Sequence, residues 1–180
     1  MDTRLTFPFR KNHDAKVFVD DYSWCKSRVL AIDEQLAHGS NEEVINALIQ
    51  SPFHLWQGED VPSGSEWTWN GEKIHVEQFG PWDRTLMTSK DYAPVQHVQA
   101  QDLLRTHHQL HIEASEQELE TVAQFFTDEV ADTYQLFHLS LDPKDLDARR
   151  VVNNVFDHFI AFIGIDRAAR RALIFEAGMD

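Results

Sequence analysis

The sequence predicts an α+β fold that is predominantly helical, with about five helices packed around a small antiparallel sheet. Three observations favour this fold class. Apolar residues recur at steps of three and four along several segments, Ser-x-x-Glu capping boxes precede two of these segments, and an Asn-Gly dipeptide separates two short runs rich in Trp, Ile and Val. No repeat, low-complexity tract or linker divides the chain, so we expect residues 1–180 to form a single compact domain.

The first two helices are predicted at residues 18–38 and 41–50. Ser40 and Glu43 form a capping box before the second helix, and Pro52 ends that helix because the residue before proline leaves the helical region. Cys25 falls on the apolar stripe of the first helix, which predicts a buried and chemically quiet thiol. The stripe consists of Phe18, Tyr22, Cys25, Val29, Ile32 and Leu36.

The segment from Pro52 to Pro94 has no helical period and contains four of the five tryptophans. Within it, Asn70-Gly71 predicts a hairpin, because this dipeptide adopts the positive dihedral angles of a two-residue type I′ turn. A further strand is predicted at 107–114, where apolar and polar residues alternate, and the preceding segment 95–105 is predicted to be helical.

Three more helices are predicted at 116–140, 143–163 and 166–177. Ser115 and Glu118 form the capping box of the first, which carries a long series of apolar residues at helical spacing. Asp142-Pro143 suits the start of the second. Gly164 then separates it from the third, which Asp166 begins.

Composition restricts the class of partner. The chain has 16 basic and 30 acidic residues, for a net charge of −14. Direct nucleic-acid binding is therefore not expected, whereas a basic protein partner suits the charge. The longest purely apolar run, 159–165, is far below the roughly 20 residues that span a bilayer. With one cysteine and no export signal, we expect a cytoplasmic protein.

Three closely spaced histidines, His107, His108 and His111, allow two interpretations. On a helix, His107 and His111 would share a face, as two ligands of one divalent metal do. On a strand they would lie about 13 Å apart, too far for one ion. Ordinary surface histidines are the favoured interpretation, so no cofactor is expected; a divalent metal is the alternative. Its further ligands would come from His138, Asp157 and His158.

Large aromatic residues surrounded by carboxylates are typical of the anchors and polar rim of a protein interface. Two regions of the sequence fit this description, the tryptophan-rich middle and the acidic flank of the helix predicted at 116–140. The opposing interpretation is that the tryptophans fill the core and the acids only maintain solubility. The predicted partner-binding residues are Trp56, Glu59, Asp60, Trp82, Asp83, Glu116, Glu120, Asp128 and Asp132.

These features favour an acidic protein-binding module, most plausibly an immunity-type inhibitor or chaperone that neutralises a basic partner such as a nuclease toxin. Catalysis is not favoured, because the sequence has no nucleophile motif, phosphate-binding loop or dinucleotide fingerprint. The alternatives are a small metal-dependent or ligand-binding enzyme using His107, His108 and His111, and a structural or assembly protein that forms a homodimer.

Overall fold

The computed structural model describes residues 8–54, 66–69, 72–75, 78–146 and 158–179. The strands in these segments are β1 (Phe9–Phe18), β2 (Ser23–Ile32), β3 (Glu66–Trp69), β4 (Glu72–His75), β5 (Gln78–Phe79), β6 (Trp82–Asp83), β7 (Tyr92–Val95), β8 (Gln135–Leu139), β9 (His158–Asp166) and β10 (Arg171–Met179). Six of them form one sheet in the order β1-β2-β10-β9-β8-β7, in which every neighbouring pair is antiparallel. The other four form two small antiparallel pairs, β3–β4 and β5–β6.

Four α-helices accompany this sheet in the described segments, and none of them is both long and apolar enough to cross a membrane. Among the described residues between the second helix and β7, single turns of 3-10 helix lie at Pro52–His54, Arg84–Leu86 and Ser89–Asp91. The α-helices are α1 (Glu34–Ala37), α2 (Asn41–Gln50), α3 (His97–His111) and α4 (Glu116–Glu129).

The central strands β2, β10 and β9 are buried on both faces of the sheet, whereas the edge strand β1 is mostly exposed. One face packs against α2 and the 79–92 segment, and the other packs against α3 and α4. Leu173 and Ile174, neighbours in β10, point to opposite faces and are both completely buried. Removing such a side chain from water contributes about 1.5–3 kcal/mol. The helices are therefore held in place by apolar contacts on opposite sides of one sheet.

The prediction of a predominantly helical fold with a small sheet is wrong, since the fold is a mixed α+β one with a large six-stranded antiparallel sheet. The predicted helix 18–38 is instead the end of β1, all of β2 and the short helix α1. The chain reverses at Asp20, whose Oδ1 accepts the backbone N–H groups of Tyr22 and Ser23, each at 2.6 Å. Because β2 is covered on both faces, its apolar residues do not alternate regularly with polar ones. Their spacing matched the three- and four-residue steps of a helix, and this led to the wrong prediction.

The predicted helix 166–177 is wrong, and so is the end of the predicted helix 143–163; of its start, residues 143–145 form a turn and residue 146 is helical, and residues 147–157 lie outside the described residues. Residues 158–163 belong to β9 and residues 171–177 to β10. Asp166, expected to cap a helix, instead accepts the backbone N–H of Ala169 at 2.9 Å in the turn between these strands. An aspartate stabilises a turn through the same kind of bond as a helix start, so the residue alone does not distinguish the two.

The predicted helix 116–140 is correct for its first half. Ser115 and Glu118 form the expected capping box of α4, but the helix ends at Glu129 and residues 135–139 form β8. The predicted strand 107–114 is wrong, because its first five residues complete α3.

Three local predictions are confirmed. Helix α2 spans residues 41–50, with the capping box of Ser40 and Glu43 in place. The segment 97–105 is helical, as part of α3. Strands β3 and β4 pair with Trp69 opposite Glu72, as a two-residue hairpin connection requires, although Asn70 and Gly71 themselves lie outside the described residues.

Gly80 is the position where the fold most clearly requires glycine. Its φ of +55° is one that side-chain-bearing residues rarely adopt, and an added Cβ would lie 2.5 Å from Cδ1 of Phe159. We expect Gly80→Ala to lower the free energy of unfolding by at least about 2 kcal/mol in denaturant titration, through backbone strain and overpacking. Gly39→Ala is the control for backbone strain, because the φ of Gly39 is not positive and its added Cβ would lie 2.9 Å from Oε2 of Glu43 and 3.2 Å from the carbonyl oxygen of Leu36, less close than the contact at Gly80. Equal losses in the two variants would contradict this assignment.

Candidate functional site

Helices α3 and α4 pack on each other and together cover one face of the sheet. We call residues 97–132, which contain both helices, the acidic helical layer. It holds eight acidic residues and one basic residue, a net charge of −7 that is half of the chain's −14. Leu119, Val122 and Phe126 of α4 are buried, so the carboxylates on its other face point to solvent.

Four predicted partner-binding residues lie in this layer, and all four are exposed. Glu116 pairs with Nη2 of Arg105 at 3.1 Å, and Asp128 accepts a hydrogen bond from Gln124 at 2.7 Å. Asp132 lies beyond the end of α4, in the turn before β8, and not on the helix as expected. Glu120 is the fourth residue.

Two of the predicted partner-binding residues in the tryptophan-rich region, Trp82 and Asp83, lie among the described residues. Trp82 is partly buried and packs against the core on the α2 side of the sheet. The carboxylate of Asp83 accepts hydrogen bonds from the backbone N–H and the hydroxyl of Thr85, at 2.9 and 2.6 Å. Trp56, Glu59 and Asp60 lie outside the described residues.

Exposed apolar side chains occur on α3, where the sequence analysis did not place a site. Val98, Leu103 and Leu110 are 67%, 38% and 70% exposed. Leu103 and Leu110 are two turns apart and share a face, and Leu103 also lines a groove of about 450 Å³ beside β7. The sequence could have indicated this exposure, because these residues lie outside the helix face that contains the buried residues Ala100, Leu104 and His108.

Three histidines meet at the end of α3. His107 and His111 share a face of the helix, with ring centres 5.2 Å apart, and His158 at the start of β9 joins them. The His158 ring centre lies 4.4 Å from that of His111, in a stacked arrangement, and 6.3 Å from that of His107. We call His107, His111 and His158 the histidine cluster.

The ring of His107 is partly buried, and this burial strongly affects its pKa. Burial, followed by the neighbouring imidazoles, lowers the pKa of His107 to about 3, so the ring is neutral at physiological pH. Its Nε2 atom is buried and has no hydrogen-bond partner in the described part of the chain. As the rings stand, no three His, Cys, Asp or Glu side chains among the described residues form a metal site. His138 is half-buried, and Asp157 lies outside the described residues.

His108 and Cys25 make a separate contact, with Sγ 3.8 Å from Nε2. Nδ1 of His108 lies 2.8 Å from the carbonyl oxygen of Leu104, which can only accept, so Nδ1 carries the proton. Nε2 is then the acceptor, and the thiol of Cys25 donates to it. Burial raises the pKa of Cys25 to about 12, which keeps the sulfur protonated and unreactive.

Buried charges on the α2 side of the sheet are a second feature that the sequence analysis missed. Arg28 is 2% exposed; its Nε contacts Oδ1 of Asp14 at 3.1 Å and its Nη1 donates to the carbonyl of Phe53. Glu176 lies opposite Lys26 in the strand register and is 1% exposed, and neither of its carboxylate oxygens has a hydrogen-bond partner among the described residues. In the sequence, Glu176 is a single charged residue within an apolar run, and this pattern could have indicated a buried charge.

We expect Cys25 to react slowly with a thiol reagent in the native protein, because it is completely buried and its thiolate is disfavoured. Labelling should accelerate sharply when denaturant unfolds the chain. Fast labelling without denaturant, followed by mass spectrometry, would show that Cys25 is accessible and contradict the burial.

Burial is the main cause of the raised pKa of Glu176. The unfolded chain therefore loses this proton at lower pH than the folded protein, and stability falls as pH rises from the unfolded pKa through the folded one. We expect Glu176→Gln to be stabilised relative to the original chain at pH 8 and much less so at pH 4, by about 1.4 kcal/mol for each unit of raised pKa. Urea titrations at both pH values measure this. Exposed Glu42→Gln is the control, and the same pH dependence in both variants would contradict the prediction.

Comparison with known proteins finds only distant structural likeness. No protein-family model matches the chain, and no curated protein matches it either. Among solved structures, the crystal structure of citrus MAF1 is similar with a TM-score of 0.41 and 9% sequence identity, over 88% of each chain. A likeness at this level bears on neither the fold nor the function of the present chain.

Proposed function

We propose that this protein binds a basic protein partner through the acidic helical layer and neutralises it, as an immunity-type inhibitor or a chaperone would. The observation that carries the proposal is the location of the charge. Half of the net negative charge belongs to one helical layer, and the inner side of that layer is fixed to the sheet by apolar contacts. The carboxylates are therefore presented on a supported surface.

The charges are only partly neutralised within the described residues. Arg105 pairs with Glu116, and His13 contacts Glu129, whose carboxylate also accepts the hydroxyl of Ser27. Glu120 and Asp128 are exposed and make no ion pair with a described cation. An approaching cationic surface would meet their field, which raises association rates for partners of opposite sign.

Exposed apolar residues of the same layer supply contacts that charge alone does not. Leu103 and Leu110 lie on one face of α3, which packs beside α4. Apolar side chains bordered by charged ones give an interface a short-range component, and this component sets the dissociation rate more than the association rate. The layer thus combines long-range attraction with local packing.

Nucleic-acid-degrading enzymes are the partner class that the charge suits best, because their substrate grooves are basic. A carboxylate-bearing surface can occupy such a groove in place of phosphate. Neutralisation in this case means loss of the partner's nuclease activity, which is measured directly with a nucleic-acid substrate.

The test uses the full chain to capture a partner, followed by binding kinetics at several salt concentrations. We expect the association rate to fall as the salt concentration rises. The Debye length, over which exposed charges attract each other, is about 8 Å at physiological ionic strength and only about 3 Å at 1 M salt. Glu120→Lys with Asp128→Lys should reduce that rate about tenfold at low salt. Leu110→Ser should instead raise the dissociation rate.

Glu34→Lys with Glu42→Lys is the matched control, because it makes the same change in net charge with exposed residues of α1 and α2, outside the acidic helical layer. It should leave the association rate closer to that of the original chain. A partner whose binding ignores salt, or responds equally to both pairs of substitutions, would refute the assignment of the surface. A captured nuclease that stays fully active in the complex would refute neutralisation.

A further inference from the structure

The histidine cluster lies at the junction of two elements that are far apart in sequence. His107 and His111 come from α3, and His158 comes from β9, on which the helix packs. Three imidazole rings, each with nitrogen atoms that can bind a metal ion, therefore lie close together.

One of the three ring spacings equals that of metal-bound imidazoles. A zinc–nitrogen bond of about 2.0–2.1 Å puts each ring centre about 3.2 Å from the ion, and tetrahedral angles then put two ring centres about 5.2 Å apart. His107 and His111 are separated by 5.2 Å. The two distances to His158, 4.4 and 6.3 Å, lie on either side of this value.

We propose that the histidine cluster binds a divalent transition-metal ion such as Zn²⁺, with His107, His111 and His158 as its protein ligands and water in the fourth position. Imidazole nitrogen is a preferred donor for zinc, nickel and copper. His107 and His111 belong to α3 of the acidic helical layer, but metal binding does not depend on the proposed partner binding.

The buried Nε2 atom of His107 is the independent observation that points to a ligand. Buried polar atoms in folded proteins are almost always hydrogen-bonded, and this one has no such partner among the described residues. His108 beside it is excluded as a ligand, because Leu104 and Cys25 occupy both of its ring nitrogens. A metal ion would satisfy Nε2 of His107, for which no described residue provides a hydrogen-bond partner.

Binding requires one side chain to turn. A metal ion lies in the plane of each imidazole that holds it, and the rings of His111 and His158 are stacked with only 20° between their planes, so they cannot share one ion as they stand. His111 is exposed, so its ring is able to rotate about its side-chain bonds without repacking the core. The proposal therefore includes unstacking of these two rings when the ion binds.

The experiment titrates untagged full-length protein with Zn²⁺ in competition with a chromophoric chelator at neutral pH. We expect one equivalent to bind, and His107→Gln and His158→Gln each to weaken binding about tenfold or more. Circular dichroism verifies that each variant is folded. His97→Gln, at the other end of the same helix, is the matched control and should bind as the original chain does.

A second readout identifies the atoms. In long-range ¹H–¹⁵N spectra, Zn²⁺ should shift the ring nitrogens of His107, His111 and His158 and leave those of His13 and His97 unchanged. Failure of the original chain to compete with the chelator would overturn the proposal. So would binding that survives in both His107→Gln and His158→Gln, or nitrogen shifts confined to histidines outside the cluster.

Discussion

Burial of the central sheet on both faces is the constraint on which the rest of this structure depends. Neighbouring residues of β9 and β10, such as Phe162 with Ile163 and Leu173 with Ile174, are all completely buried yet point to opposite sides. Exposing either apolar face to water is unfavourable, so other parts of the chain must cover both faces. Once α3 and α4 are fixed in this way, their polar residues face solvent, and the carboxylates among them place half of the net negative charge in this layer.

Because these strands are covered on both faces, a charged side chain that points into a covered face loses its hydration and destabilises the fold unless it is paired or neutral. Arg28 and Glu176 lie on the α2 side, on β2 and on β10, and they are nearly without solvent contact. Arg28 is supported by Asp14 and the carbonyl of Phe53, whereas burial raises the pKa of Glu176 toward the neutral form. His54 lies on this side as well; it is stacked on Phe79 and its Nε2 is 2.7 Å from the hydroxyl of Tyr92, and burial lowers its pKa to about 3. Polar groups here are kept neutral or held by the backbone, as a region of low dielectric requires.

Sequence reasoning succeeded where local chemistry decides the structure. The capping boxes at Ser40 and Ser115 each mark the start of a helix correctly, because the bonds involved lie within four residues. It failed for β2, β9 and β10, because strands covered on both faces lose the alternation that distinguishes a strand from a helix. The histidines show both outcomes. The spacing of His107 and His111 raised the possibility of a shared face, but the position of His158 relative to them depends on how α3 packs on β9, which no local pattern encodes.

The place of β10 in the sheet has a consequence for biosynthesis. This strand follows the other nine described strands in sequence, yet it lies between β2 and β9 and joins the two halves of the sheet. At typical translation speeds, the residues that separate β2 from β10 take on the order of ten seconds to synthesise. During that interval the β1–β2 hairpin has an unpaired edge and an apolar surface with no permanent cover. The nascent chain therefore passes through a period in which it is exposed to strand-mediated association, and its folding is completed by pairings between distant parts of the sequence, which form slowly.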